Sequence, residues 1–271
     1  MKTSNDKKRI GFYQNFDLND NFDKEKISLY TDYLISWIKT MVNKAKAKGV
    51  IFGLSGGIDS ALIAALSQKA FPENHLAVIM PIDSMKHEEN DLKAIEKNLN
   101  LKTKTINLEK TFLSLNQEYG DLSLLAKSNI KPRLRMTTLY ALAQNLNYLV
   151  LGTDNFDEYF IGYFTKFGDG GADLLPISHL LKSEVKAMAK FLNVPNSVIT
   201  KKPSAGLWEN QSDEDELGFT YHELDNYLIG NDVEQKTKEK IEKLHVNSQH
   251  KRDHIYRPLS IEEFLNQKGE K

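Results

Sequence analysis

Apolar positions along the chain switch repeatedly between two periods. Over 26–48, Leu34, Trp37, Ile38, Met41 and Val42 recur every three or four residues with lysines between them, which predicts an amphipathic helix ended by Gly49. The run VIFGL at 50–54 is continuously apolar and predicts a buried strand; SGGIDS and an apolar helix over 61–70 follow it. The same alternation continues downstream. Strands are predicted at 76–81, 101–108 and 148–153, and helices at 88–99, 132–146, 178–192 and 219–245. Pro132 is read as opening its helix, and Ser178 as capping the next one. Strands that alternate with helices, several of them apolar throughout, predict an α/β fold: a doubly wound, mostly parallel sheet flanked by helices.

Two stretches carry no period. One is 162–176, with four glycines; the other is 201–218. Both are read as lid loops, and the tail from 246 as basic and then amphipathic. No linker-like composition divides the chain, so a single domain over 1–271 is expected.

Composition narrows the function. With 40% hydrophobic and 27% charged residues, the chain is globular rather than disordered. A formal charge of −1 provides no broad field toward nucleic acid or an anionic membrane, so neither is expected as a partner and any polyanion site must be local. No apolar run approaches the roughly 20 residues of a spanning helix, and the polar N-terminus has no apolar signal core; a cytoplasmic location is the expectation. There is no cysteine, which excludes disulfides, thiolate metal sites and cysteine nucleophiles in these residues. Basic residues comprise 31 lysines and five arginines: Arg9, Arg133, Arg135, Arg252 and Arg257.

The segment Ser55-Gly56-Gly57-Ile58-Asp59-Ser60 follows a predicted strand and opens a predicted helix. Glycines let a backbone approach an oligophosphate, serines add hydroxyl donors, and the helix start favours negative charge. It is neither a Walker loop nor a dinucleotide fingerprint. Asp59 within an anion cradle requires an intervening cation, which points to Mg2+ shared with phosphate.

This loop resembles the pyrophosphate loop of the ATP pyrophosphatases, a group with an adenine nucleotide α-hydrolase-like, Rossmann-like fold. The segment VLGTDNFDEYFIGYFTKFGDGGADLLP at 150–176 narrows the resemblance to the NAD synthetases. Lys182, the stretch 203–218 and His250-Lys251-Arg252 extend it over roughly residues 26 to 258. The resemblance implies ammonia-dependent amidation of deamido-NAD through an NAD-adenylate, with release of AMP and pyrophosphate. It places Gly53, Leu54, Ser55, Gly56, Gly57, Ile58, Asp59 and Ser60, with Thr153, Lys182 and Ser204, on ATP. It places Asp59 and Glu158 on Mg2+, and Arg133, Tyr140, Lys166, Asp173, His250 and Lys251 on deamido-NAD. Asp169, Asp173 and Lys182 are the catalytic candidates, with one of the two aspartates taking a proton from ammonium. A homodimer is also implied.

Taken alone, several of these residues have plainer readings. Glu158 reads as a surface residue, Lys182 as a solvated lysine, Thr153 and Ser204 as turn residues, and 250–257 as a solvated basic tail. Relatives often carry an arginine where this chain has Ile79, and some carry an aspartate where it has Gly206. The missing cysteine separates an ammonia-using enzyme from glutamine-using and sulfur-transferring relatives. The alternatives are another adenylating pyrophosphatase that amidates a different carboxylate or nucleotide, and a nucleotide-binding regulator without turnover.

Overall fold

A computed structural model describes residues 9–15, 17–82, 88–203 and 212–268. The N-terminal part forms a small antiparallel pair, β1 (Tyr13–Gln14) and β2 (Asp17–Phe22). Helix α1 (Lys24–Lys44) follows, its first turn capped by Asp23, which accepts from the backbone N–H groups of Glu25 and Lys26 at 3.0 and 3.1 Å. Its predicted apolar stripe packs inward, with Leu34, Ile38 and Val42 all buried.

The alternating pattern then builds the main sheet. In chain order it runs β3 (Gly49–Gly53), α2 (Ile58–Ala70), β4 (His75–Ile79), α3 (Glu89–Leu99), β5 (Thr103–Thr105), α4 (Glu109–Tyr119), α5 (Leu124–Leu146) and β6 (Tyr148–Val150). The four strands lie in the order β5-β4-β3-β6, all parallel. Side chains of β3 alternate across the sheet. Val50 and Phe52 enter the core beneath α1, α2 and α7, whereas Ile51 enters the core beneath α4 and α5. Ten of the thirteen residues of α2 are buried, which explains why that helix is apolar almost all round.

The rest is helical: α6 (Phe156–Ile161), α7 (Lys182–Phe191), α8 (Asn196–Ile199), α9 (Asp213–Leu217), α10 (Tyr221–Ile229), α11 (Gln235–Asn247), α12 (Gln249–Arg252) and α13 (Ile261–Lys268). No helix among the described residues is long and apolar enough to cross a membrane.

Three expectations are corrected here. Pro132 does not open its helix. Ser123 caps α5 through the Ala126 N–H, and the proline lies buried inside, so the Ser128 carbonyl has no i+4 N–H to accept from. Ser178 does not cap α7 either; its hydroxyl donates to the Leu175 carbonyl, and the helix starts at Lys182. Finally, 219–245 is two helices, broken at Gly230, which takes a left-handed φ of 85°.

The glycine-rich stretch 162–176 is woven into the sheet edge rather than standing free. Leu174 bridges Leu151 in parallel, and the Asp173 N–H donates to the Val150 carbonyl at 3.0 Å. Gly170 illustrates why this stretch is glycine-rich: a Cβ there would lie 2.3 Å from the Phe164 ring. The other predicted lid, 201–218, is described only at its two ends, and 204–211 lies outside the described residues.

Candidate active site

Strand β3 pairs with β4 on one side and with β6 on the other, so the chain reverses its direction of travel across the sheet between β3 and β6. Crevices at such switch points, beyond the carboxyl ends of the strands, are where open α/β sheets bind ligands. The loop 54–57 leaves β3 there, and the turn 151–155 leaves β6 beside it.

The first loop is held by its own serines. Ser55 and Ser60 hydroxyls lie 3.0 Å apart, the Gly57 N–H donates to Ser55 Oγ at 3.2 Å, and Ser60 Oγ donates to the Gly57 carbonyl at 2.9 Å. Gly56 takes φ 87°, the left-handed region that a cradle of this shape needs. Asp59 then sits in the first turn of α2.

Lys182 is the first residue of α7, an unfavourable place for a cation because the helix start is itself positive. It is nevertheless buried. Its Nζ donates to Asp59 Oδ2 at 2.6 Å and to Glu158 Oε1 at 3.1 Å, and lies 4.8 Å from the centre of the Tyr221 ring. Three residues from distant parts of the chain thus meet at one ammonium. Burial alone would depress the Lys182 pKa, but the two carboxylates outweigh it and hold the group well above its ordinary value. Glu158 is pushed up to about 7, first by burial, with Lys182 pulling it back.

Asn155 braces this arrangement. Its Nδ2 donates to Asp59 Oδ1 at 2.9 Å, while its Oδ1 accepts from the Glu158 N–H at 3.1 Å in a capping box that opens α6. Tyr221 donates toward Glu158 and Asp213, each at 3.3 Å. Sequence reading missed both residues. Asn155-x-x-Glu158 is a legible capping pattern, whereas nothing local marks Tyr221.

A second group surrounds the glycine-rich stretch, which α5 holds at several points. Arg133 donates to the Lys166 carbonyl from Nε and Nη2 at 3.3 and 3.2 Å, Asn129 Oδ1 accepts from Thr165 Oγ1 at 2.7 Å, and Tyr140 donates to Asp173 Oδ1 at 3.0 Å. The other Asp173 oxygen accepts from the Val150 N–H at 2.8 Å. Arg133 and Arg135 are therefore mid-helix residues, not first-turn ones, and Arg135 donates to the Met80 carbonyl. Asp169 is half-buried and accepts from the Thr165 N–H at 3.0 Å; loss of water around its carboxyl raises its pKa.

The basic tail is built into the molecule as far as α12. Lys251 donates to the carbonyls of Gly162 and Phe164, both at 2.7 Å, and Lys166 Nζ donates to the His250 carbonyl. Arg252 donates to the carbonyls of Phe160 and His245, so it clamps α6 to α11. The His250 side chain is exposed. Between the two groups lies Asp154, buried, with Oδ2 unpartnered. Its pKa is raised well above the ordinary range by burial, then by Asp169, Glu158 and Asp59. Thr153 precedes it in the same turn. Ser204 lies outside the described residues. Ile79 packs its side chain on the core.

A family model described as NAD synthase matches residues 30–255, most of the chain, and every described residue of both groups falls within that span. The chain belongs to the NAD synthase family. The NH(3)-dependent NAD(+) synthetase of Mycoplasmopsis pulmonis is 52% identical to it over 238 residues, 88% of this chain and 93% of that protein. The enzyme of the same name from Mesoplasma florum is 49% identical over 84% of this chain and 96% of its own length. Among solved structures, the NMN synthetase of Francisella tularensis superposes with a TM-score of 0.82 at 40% identity, covering 86% of this chain and 99% of that one. The NH3-dependent NAD synthetase of Campylobacter jejuni gives 0.74 at 28% identity, covering 86% and 99%. These NAD synthase relatives share the parallel sheet and its flanking helices, which bears out the expected fold class.

Proposed function

We propose that the chain is a ligase that makes NAD from deamido-NAD, ATP and free ammonia, releasing AMP and pyrophosphate. The observation that carries this reading is the meeting of Asp59, Glu158 and Lys182 at the sheet's switch point, in a chain of the NAD synthase family. A carboxylate oxygen of the nicotinate attacks the α-phosphorus of ATP, and pyrophosphate leaves. The nitrogen of ammonia then attacks the acyl carbon, and AMP leaves. No enzyme nucleophile is needed, in keeping with the absence of cysteine. Nor do these residues contain the thiol that would release ammonia from glutamine.

In this reading the backbone of 53–60 and the hydroxyls of Ser55, Ser60, Thr153 and Ser204 hold the phosphates. Lys182 carries its charge to the α-phosphate, where negative charge accumulates during transfer. Asp59 and Glu158 would hold Mg2+. Their oxygens converge on one point, and no cage of three or more acidic or histidine side chains stands among the described residues. Such a donor set fits a cation that takes one or two carboxylates and completes its shell with substrate phosphates. When bound, it would neutralise charge on the leaving pyrophosphate.

Arg133, Tyr140, Lys166, Asp173, His250 and Lys251 border the other side, where deamido-NAD is assigned. Asp169 is the proton acceptor we favour over Asp173. Both Asp173 oxygens are engaged by Val150 and Tyr140, whereas burial raises the Asp169 pKa and so makes that carboxylate a stronger base. A homodimer is supported by Leu113, Tyr119, Leu124 and Leu125, large apolar side chains exposed on α4 and the start of α5. A cytoplasmic location goes with the nucleotide substrates.

The test is incubation with ATP, Mg2+, ammonium and deamido-NAD, quantifying NAD and AMP. Equal amounts of both are expected. A parallel arm with nicotinate mononucleotide, prompted by the NMN synthetase likeness, should yield less than a tenth of that rate. AMP without NAD, or faster turnover of the mononucleotide, overturns the reading.

A further inference from the structure

The phosphate loop has an acidic neighbour that its chemistry does not call for. Glu88, at the start of α3, lies against Gly56: a Cβ built on that glycine would stand 2.8 Å from Glu88 Oε2 and 3.4 Å from Glu88 Cβ. Gly56 is the left-handed residue in the middle of the cradle, so a carboxylate stands where an oligophosphate would approach. That same Oε2 accepts from Lys201 Nζ, which also reaches Asp91 Oδ2 at 3.2 Å. The other oxygen of Asp91 accepts from Ser197 Oγ at 2.8 Å, so Asp91 ties α3 both to α8 and to the lysine just beyond it. Lys201 lies just beyond α8, about a third exposed and facing the loop mouth through Glu88.

Two like charges cannot share the cradle cheaply, because a carboxylate and a phosphate oxygen about 4 Å apart repel strongly in a partly desolvated loop. A triphosphate entering the loop therefore displaces the Glu88 side chain, which is long and partly exposed. Its departure removes one of the two carboxylates on Lys201. Asp91 remains and keeps the lysine beside the loop.

We propose that Lys201 is a further binding residue for the pyrophosphate end of ATP, and that Glu88 is the internal anion that occupies Lys201 until phosphate takes its place. The pair would set ATP affinity and ease pyrophosphate release, since Glu88 returns as the product departs. This inference rests on the proposed location of ATP at the loop, but its test does not need turnover.

The probe is inorganic pyrophosphate with Mg2+, titrated calorimetrically into the full-length protein, alongside ATP and deamido-NAD kinetics. Lys201→Ala should weaken pyrophosphate binding and raise the KM for ATP by about tenfold, the order expected from losing one charged hydrogen bond. The KM for deamido-NAD should stay within twofold. Lys201→Arg should restore most of the loss. Glu88→Gln should act in the opposite direction and tighten pyrophosphate severalfold. Unchanged pyrophosphate affinity in Lys201→Ala, or weaker affinity in Glu88→Gln, overturns the proposal. If Lys201→Ala fails to fold, the Glu88→Gln titration still decides it by its sign. Wild-type protein that binds pyrophosphate but forms no NAD would overturn the activity and leave this assignment standing.

Discussion

Lys182 and Asp59 meet at 2.6 Å across 123 residues of sequence, and the contact joins the start of α7 to the start of α2. Both helix starts repel a lysine, so only the carboxylates justify its place. Replacing Lys182 with Met keeps the volume and removes the charge. We expect a loss of about a hundred- to a thousandfold in kcat/KM, comparable to removing a preorganised donor in other active sites. Rates within tenfold of wild type would mean that the lysine serves the fold alone.

Asn155 acts on two residues at once. Asn155→Ala removes the donor to Asp59 and the cap of α6, so it should cost about 1 kcal/mol of stability and raise the KM for ATP. Denaturant unfolding and kinetics check the two effects separately. A stability loss with an unaltered KM would show that Lys182 alone holds Asp59 in place.

Arg9 offers a prediction in pH. It donates to the buried Glu184 at 3.1 Å, and its guanidinium lies 5.0 Å from the centre of the Phe156 ring. Glu184 sits above its ordinary value of 4.5, first because burial strips away its water, with Arg9 pulling it down. Because the folded pKa is raised, the contribution of this group is fully present below about 4.5 and declines as pH rises through the folded value. Arg9→Ala removes the compensating charge, raises the folded pKa further, and should destabilise by about 2–3 kcal/mol near pH 7. The loss should be much smaller near pH 4.5. Melting curves at both values decide, and equal losses would assign Arg9 to packing against Phe156.

The tail should divide sharply at residue 253. Arg252 and Ser248 bond the carbonyls of α6, whereas 254–268 are exposed throughout. Removal of 254–271 should leave the melting temperature within a few degrees. Removal of 248–271, which also takes the clamp, should both abolish synthesis and destabilise the protein. A truncation at 253 that unfolds would place unsuspected structural weight on Tyr256 or α13.

Legibility in the sequence followed the range of the forces involved. The apolar runs at 50–54 and 76–81 announced their strands because a strand buried on both faces needs continuous apolar residues, and β3 and β4 have them. Strand β5 fell short of the predicted 101–108, since only Thr103–Thr105 pairs with β4. The start of α5 was misplaced because proline marks a first turn only on average; Ser123, nine residues earlier, had the stronger capping chemistry. In the site, the SGGIDS loop was legible because backbone geometry dictates its composition. Lys182 and Glu158 were assigned only by resemblance, since an ion pair between distant residues leaves no local trace. Arg135 and Arg252 bond main-chain carbonyls, a role that no local pattern marks.

The contact at Lys182 also has a consequence for the young protein. Residues 59, 158 and 182 belong to units that must each form and then dock before the three charges meet. Long-range contacts of this kind close late, after loop entropy has been overcome. A chain emerging from the ribosome with only β3 and α2 complete would own the phosphate loop without its cation. The cluster of Asp59, Glu158 and Lys182 can close only after α7 has been made and docked, so this part of the molecule is completed late in synthesis.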